Sequence, residues 1–557
     1  MWRGHSAISI PAIIQNREAF SLEFRQPFNI TMKKKSLPII SCALLFIIWG
    51  HLSCTDLNAP AYDKLTEFWR TPEEIKAGVG LPYAGLRDLV GNSNPWNTYA
   101  LNEMTTDEII VPIRGRDWAD NDSWERLWKH TWASDHEALS NSWQFLYGNS
   151  NHSGIIPINL VIENLNQLAP PLAKSVNAPV LIAQMKTLRA FYYYLGMDLF
   201  GDIPITESLY TPLSQLNRKA RTEVFAFVEK ELISIKSQLP EVPTDSTYGR
   251  PTRWMAETLL AKLYLNAEIY TGKSRWSECV TACDAILKSN QYQLESDFFA
   301  NFAPDNEKSK ENIFAIPFDF NGGLGYLPLV QYSLHYDSPT TFDLGYHGAN
   351  GFCSTIDFLN QFDPVDRRKR MFLTGQQYLH SKQYQDQVPD PANFQFDSDV
   401  HLPLNFNPVI TTFSSNDPAF RMAGARCVKW AVDSPDADFA VFRLADVILM
   451  KAEAQLRNGD AAGAQATLNQ QYGTVSLHSR ANLPDFSLAD ITLDNILRER
   501  ACELAWEGHR RNDLIRFGHY LDARTPEKGI SENFRALFPI PRAELAKNPY
   551  LKQSPGY

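Results

Sequence analysis

From Glu73 to Val90, apolar positions return every three or four residues at Ile75, Val79, Tyr83, Leu86 and Leu89, the spacing that keeps one face of a helix dry. Thr71-Pro72 precedes the run as an N-cap and a first-turn proline. The same periodicity predicts helices over Ile158–Leu168, Val180–Phe200, Thr222–Leu239, Thr252–Tyr270, Arg275–Ser289, Arg443–Asn458, Ala461–Gln471 and Leu493–Phe517. Alternation with period two is scarce, so the chain is expected to be mainly α. Two helix pairs resemble each other: Leu263, Ala267 and Gly272 correspond to Met450, Ala454 and Gly459. Each is a helix with small packing residues, a glycine turn and a returning helix, the packing logic of tetratricopeptide units. Residues 291 to 440 break the pattern. They are rich in Gly, Pro, Asn, Asp and aromatics, and an irregular stretch of that length is expected to carry function.

The first 53 residues read as a leader. Met32-Lys33-Lys34-Lys35 is a basic start, and Leu37 to Trp49 is mostly apolar, too short for the roughly 20 residues a bilayer span takes. It ends at His51-Leu52-Ser53-Cys54, the form of a bacterial lipoprotein signal in which Cys54 is acylated and becomes the first mature residue. Residues Met1 to Thr31 then read as an upstream extension with the start at Met32. The chain has 557 residues and a net charge of −10; losing the leader's six Lys and Arg and two Glu would leave 504 residues and −14. That balance, without a Lys/Arg cluster, argues against nucleic acid as a partner. Past the leader, Cys279, Cys283, Cys353, Cys427 and Cys502 are odd in number and scattered, so they are expected to be buried thiols, with no metal site or disulfide framework.

Catalytic constellations are weak. Glu499, Glu503 and Glu507 share a helical face, but Glu507 precedes Arg510 and Arg511 by three and four residues, which predicts ion pairs. Asp107-Glu108 could act as an acid pair, the basis of an alternative glycoside-hydrolase reading, yet no nucleophile or His accompanies it in a recognisable setting. No catalytic residue, metal or cofactor is assigned. The aromatics say more. Seven of the 13 Trp lie between Trp69 and Trp143. Trp124, Trp128 and Trp132 recur every four residues and predict a buried helical stripe. Trp118 and Trp96 instead sit in polar, turn-rich segments, Trp118 beside Arg114, Arg116 and Asp117. An aromatic face next to planar polar groups suits a neutral pyranose, whose C–H face stacks while its hydroxyls hydrogen-bond. Tyr326, Tyr332, Tyr336 and Tyr346, with Asn350, extend the candidate set into the irregular territory.

Several blocks in order carry a family resemblance. They are Cys54-Thr55-Asp56-Leu57; Leu188-Arg189-Ala190-Phe191-Tyr192-Tyr193 running on to Phe200-Gly201-Asp202-Ile203-Pro204; Gly249-Arg250-Pro251-Thr252 before Leu260-Ala261-Lys262-Leu263-Tyr264; and Phe442-Arg443-Leu444-Ala445-Asp446-Val447 with Ala452-Glu453-Ala454. Arg498-Glu499-Arg500 through Glu507-Gly508-His509-Arg510-Arg511, Phe538-Pro539-Ile540-Pro541 and the closing Pro555-Gly556-Tyr557 follow. The chain resembles the SusD/RagB family of nutrient-capturing outer-membrane lipoproteins, and Asp107 to Trp118 is similar to its starch-binding branch. The resemblance implies one domain over 54–557, with helical parts at 54–290 and 441–557 around the loop-rich 291–440. It also implies lipid anchoring in the outer membrane facing outward, an oligosaccharide ligand and a SusC-like TonB-dependent transporter as partner. A peptide-capturing RagB-like member and a scaffold that binds only protein are the other readings.

Overall fold

The computed structural model describes residues 68–91, 94–148, 154–342, 344–378, 404–432, 434 and 436–557; Met32, Cys54 and the leader lie outside them. Trp69–Tyr557 form one compact unit. Its principal helices are α1 (Pro72–Gly85), α2 (Thr98–Glu103), α3 (Ser123–Trp128), α4 (Glu137–Tyr147), α5 (Ile155–Asn166), α6 (Ala178–Phe200), α7 (Arg221–Ile235), α8 (Arg253–Leu265), α9 (Trp276–Lys288), α10 (Leu329–Ser333), α11 (Leu444–Arg457), α12 (Ala461–Asn469), α13 (Leu477–Ala481), α14 (Leu493–Leu504) and α15 (Arg510–Phe517). Among the described residues, no helix is long and apolar enough to cross a membrane.

Local chemistry starts these helices where expected. Thr71 and Glu74 close a capping box on α1, satisfying two backbone N–H groups that a helix start leaves unpaired. Thr252 Oγ accepts from Met255 N at the start of α8. The two matching helix pairs are α8 with α9 and α11 with α12. They stack through a contact between α9 and α11, where Cys279 Sγ faces the Met450 carbonyl. Ala256, Ala261, Ala452 and Ala454 are fully buried, so small side chains let the backbones approach as the spacing predicted. All five cysteines in the described residues are free and buried.

The structure revises three helix expectations, the first being Thr252–Tyr270, which is interrupted at Asn266 into Arg253–Leu265 and Ala267–Thr271. The single helix predicted over Leu493–Phe517 is two, α14 and α15, parted by a turn in which Trp506 and Gly508 have φ of 64° and 85°. Tertiary partners override helical continuity. Trp506 N donates to Glu108, its Nε1 donates to Ser354 Oγ at 3.0 Å, and Lys429 Nζ donates to the Ala505 carbonyl at 2.7 Å. The tryptophan stripe is buried as expected, but only Trp124 and Trp128 lie on α3; the chain turns at His130, and Trp132 packs outside any helix. Their indole N–H groups go to three separate places: the Asp120 carboxylate, the Pro526 carbonyl and the Tyr557 hydroxyl.

Strands are short and set the irregular territory in place. β1 (Ile113–Arg114) runs parallel to β3 (Ser414–Ser415), while β2 (Asn312–Ile316) pairs antiparallel with β4 (Phe439–Arg443), Ile316 opposite Phe439 and Asn312 opposite Arg443. Every residue of β2 and β4 is buried. This pairing therefore brings the two ends of the 291–440 stretch side by side.

Candidate functional site

The charged candidates form an interior seam. Arg443 on β4 pairs with Glu311 at 2.7 Å, Glu503 at 2.6 Å and Glu507 at 2.6 Å. Arg368 pairs with Asp366, Glu499 and Glu503, Arg480 on α13 with Glu311 and Glu503, and Lys429 with Glu507. All are buried. Ion pairing was expected for the glutamates, but with near neighbours in sequence. Glu507 instead turns to Arg443 and Lys429, leaving Arg510 to Asp107 and Arg511 to Asp198. Burial alone would push the Glu499 carboxyl up, yet Arg368 and His478 hold it at about 2. Carboxylates pinned this low are poor proton donors.

Asp107 and Glu108 do not work as a pair. Asp107 makes a bidentate bond to Arg510, at 2.8 and 2.7 Å, whereas Glu108 is buried against Trp506 N and Glu103. Burial pushes Glu108 up to about 8, and burial beside Glu108 pushes Glu103 well above the usual range. These two carboxyls face each other inside the protein, away from any surface where a glycosidic bond could sit.

The aromatic candidates gather on the other side of the 291–440 turns. Gly115, with φ of 70°, turns a tight loop in which Arg114 and Asp117 exchange backbone hydrogen bonds, so Arg116 is exposed at its tip. Trp118 follows in the left-handed region at φ 59°. Its Nε1 donates to the Ala349 carbonyl at 2.7 Å, and its ring contacts Trp124, Tyr332 and Phe352 at centroid distances of 5.6, 6.1 and 5.7 Å. Trp96 stacks on the other part of Trp124 at 5.4 Å and 15°. Trp124 of the buried stripe and the two loop tryptophans are thus one connected set of rings. Tyr336 donates to the Asp117 carboxylate, whose pKa burial raises above the ordinary aspartate value.

Tyr326 and Tyr346 open a separate feature. With Phe320, Leu327, Val330, Gln331, Gly345, Ala431 and Ser434 they line a cleft of about 380 Å³, within the size range of small-ligand pockets. Among these described residues none carries a formal charge. Phe320 is 60% exposed at the lip, and Tyr346 Oη donates to the Val432 carbonyl at 2.8 Å. The short helix α10 joins the two features, placing Val330 and Gln331 in the cleft and Tyr332 against Trp118.

Placement therefore sorts the ten sequence candidates. Trp96, Trp118, Asp117, Tyr326, Tyr332, Tyr336 and Tyr346 are half-buried around this face, and Arg116 is exposed beside it. Arg114 and Asn350, expected as polar contacts for a ligand, are fully buried, with their side chains committed to backbone and side-chain partners inside the protein. Phe320 escaped the sequence reading. Its signal was present: a large ring in Asp319-Phe320-Asn321-Gly322-Gly323, the same turn-rich setting that singled out Trp118.

Two family models match this chain: one described as SusD family over residues 426–557, and one described as starch-binding associating with outer membrane over residues 83–265. The first begins at Arg426, inside the 291–440 stretch, and the second includes Trp96 and Trp118. The chain thus carries matches to two SusD-type family models, which support the SusD/RagB resemblance. It is similar to the starch-binding protein SusD of Bacteroides thetaiotaomicron, at 24% identity covering 83% of this chain and 85% of that one. A SusD-like protein of Bacteroides ovatus matches at 25% identity over 88% of this chain and 84% of its own length. Among solved structures, a SusD superfamily protein of Parabacteroides distasonis superposes with a TM-score of 0.67 at 21% identity, covering 87% of this chain and 99% of that chain. Surface glycan-binding protein A of B. thetaiotaomicron, solved with laminarihexaose, gives 0.65 at 21% over 87% and 99%. These likenesses confirm the mainly α SusD fold.

Proposed function

We propose that this chain is a non-catalytic oligosaccharide-binding protein of the bacterial surface. The observation that carries the reading is the cleft lined by Phe320, Tyr326 and Tyr346, uncharged among its described residues, beside the Trp118 platform. Ring faces take the C–H faces of sugars, and Gln331, Ser434, Asp117 and Arg116 offer hydrogen bonds around them. An uncharged cleft favours neutral glycans, since a uronate or sulfate would be desolvated there without a counter-ion. The starch-binding and laminarihexaose-bound relatives support a glycan ligand. Trp96, Trp118, Tyr326, Tyr332, Tyr336 and Tyr346 form the aromatic part of the proposed face, with Arg114 and Asn350 as its frame.

The protein would be held at the outer membrane by an acylated Cys54, face outward, and hand its ligand to a SusC-like TonB-dependent transporter. The outer-membrane association in one family description supports this placement. A glycan array followed by calorimetry on the best neutral oligosaccharide tests the binding reading. Binding that survives Trp118→Ala together with Tyr346→Ala would move the ligand elsewhere, and selective capture of peptides would replace the glycan reading. Cys54→Ala is expected to release the protein from membranes.

A further inference from the structure

Two arginines lie under the Trp118 platform, and among the described residues no carboxylate is bonded to either. Arg114 Nη1 donates to the carbonyls of Asn350 at 2.7 Å and Gly351 at 3.0 Å, and its Nη2 donates to the Ala423 carbonyl at 2.8 Å. Arg426 donates to the carbonyls of Ala423, Gly424 and Arg421 and to Asn350 Oδ1, at 2.8 to 3.1 Å. Both side chains are fully buried. A buried charge is tolerated only where polar groups replace its water, so each guanidinium gathers carbonyl oxygens around itself. The segments 350–351 and 421–424 are thereby held in one arrangement, with Ala423 shared by both arginines. Asn350, at φ 52°, contributes its side-chain oxygen to Arg426 and its amide to the Arg421 carbonyl at 3.1 Å.

The consequence appears at Gly351. Its N donates to the Tyr332 carbonyl at 2.8 Å, its own carbonyl is taken by Arg114, and the Trp118 ring lies directly on its Cα. A Cβ at this position would meet Trp118 Cε2 and Cζ2 at 2.5 Å, well inside contact distance. The neighbouring Ala349 carbonyl takes the Trp118 indole N–H. Trp118 itself has a left-handed backbone, a conformation that a bulky residue keeps only where its surroundings over-determine it.

We infer that Gly351, clamped by Arg114 and Arg426, is a positioning residue of the ligand face: its bare Cα is the seat that sets the depth and tilt of the Trp118 ring. The inference rests on the glycan-binding reading for its effect on affinity, but not for its effect on the ring. Because Arg114 and Arg426 hold the backbone, Gly351 cannot retreat from a new methyl group, and the flexible partner that moves is the indole.

The test is a double-mutant cycle on the full mature chain with Gly351→Ala, Trp118→Ala and both together. The ligand-independent readout is the near-ultraviolet circular dichroism that Trp118→Ala removes. Gly351→Ala is expected to change that same component and to add nothing in the Trp118→Ala background. The second readout is calorimetric affinity for laminarihexaose and for the best neutral oligosaccharide on the array. A loss of about tenfold is expected for Gly351→Ala, with the double variant matching Trp118→Ala alone. Independent, additive losses, or an unaltered Trp118 signal, would overturn the positioning role. Should Gly351→Ala fold poorly, Arg426→Lys loosens the same seat without adding a Cβ to Gly351, and an unaltered Trp118 signal there would overturn it equally. A wild-type protein that binds no glycan, yet shows the coupled Trp118 signal, would refute the glycan reading and leave the seat standing.

Discussion

The seam around Glu503 and the face around Trp118 distribute charge and rings in opposite ways. In the seam, three arginines, a lysine and five carboxylates are buried between the 291–440 stretch and the C-terminal helices, and every one has a partner. In the face, rings that could have formed ordinary core stand half-exposed, and the cleft beside them is uncharged among its described residues. Charged side chains are almost never fully buried unless paired, and pairing consumes their chemistry. The residues that look most reactive in this chain are therefore its scaffold, while the half-buried rings are the ones proposed to meet a ligand.

The strongest way to break this contrast is to remove one seam partner. Arg443→Met would strand Glu311, Glu503 and Glu507 without their shared cation. A loss of about 3–5 kcal/mol in chemical denaturation is expected, with the fold or its yield failing before binding is altered specifically. A loss below 1 kcal/mol would mean the seam contributes little.

The two carboxylate groups also differ in their response to pH. Glu103 and Glu108 have raised pKa values, so the folded state holds a proton that the unfolded chain releases near pH 4–5. Their contribution is present below that range and falls as pH rises towards about 8. Glu499 is depressed to about 2, so its contribution is present above pH 4–5 and is lost as pH falls towards 2. Stability should peak between these limbs. Glu108→Gln is expected to remove roughly 2 kcal/mol of the decline between pH 6 and 8, read by denaturation at several pH values. An unchanged alkaline limb would place the buried proton elsewhere.

On the face, Tyr346→Ala should weaken oligosaccharide binding by about 1–2 kcal/mol while lowering the melting temperature only slightly. Equal losses of stability and affinity would make Tyr346 part of the scaffold. The smallest effect is expected from Arg116→Ala, a substitution at an exposed loop tip that should change folding stability by less than about 0.5 kcal/mol.

Much of this contrast was legible in the sequence, and the misses share one cause. Helix starts were readable because capping is local: Thr71 meets Glu74 and Thr252 meets Met255 within one turn. The tetratricopeptide-like pairs were readable because small residues recur at a fixed period. The break at Trp506 was invisible because its causes, Glu108, Ser354 and Lys429, lie far away in the chain. Arg114 and Asn350 were chosen as ligand contacts for their composition and neighbours, which carry no information about burial. Tyr326 and Tyr346 were named because they are aromatic residues of the irregular 291–440 stretch, and Phe320 lies in that stretch too.

By itself, the sequence determined the helical class and the repeated helix pairs, carried the family resemblance, and singled out a stretch expected to hold a binding face. These depend on periodicity, capping and residue type, properties expressed over a few neighbouring positions. The tertiary structure decided which charges became scaffold and which rings reached the surface. It paired Arg443 with Glu503 across 60 residues and seated Trp118 on Gly351, 233 residues on. Such choices belong to long-range packing, where a buried charge takes whichever partner offsets its lost water and a ring lies wherever a backbone leaves room for it.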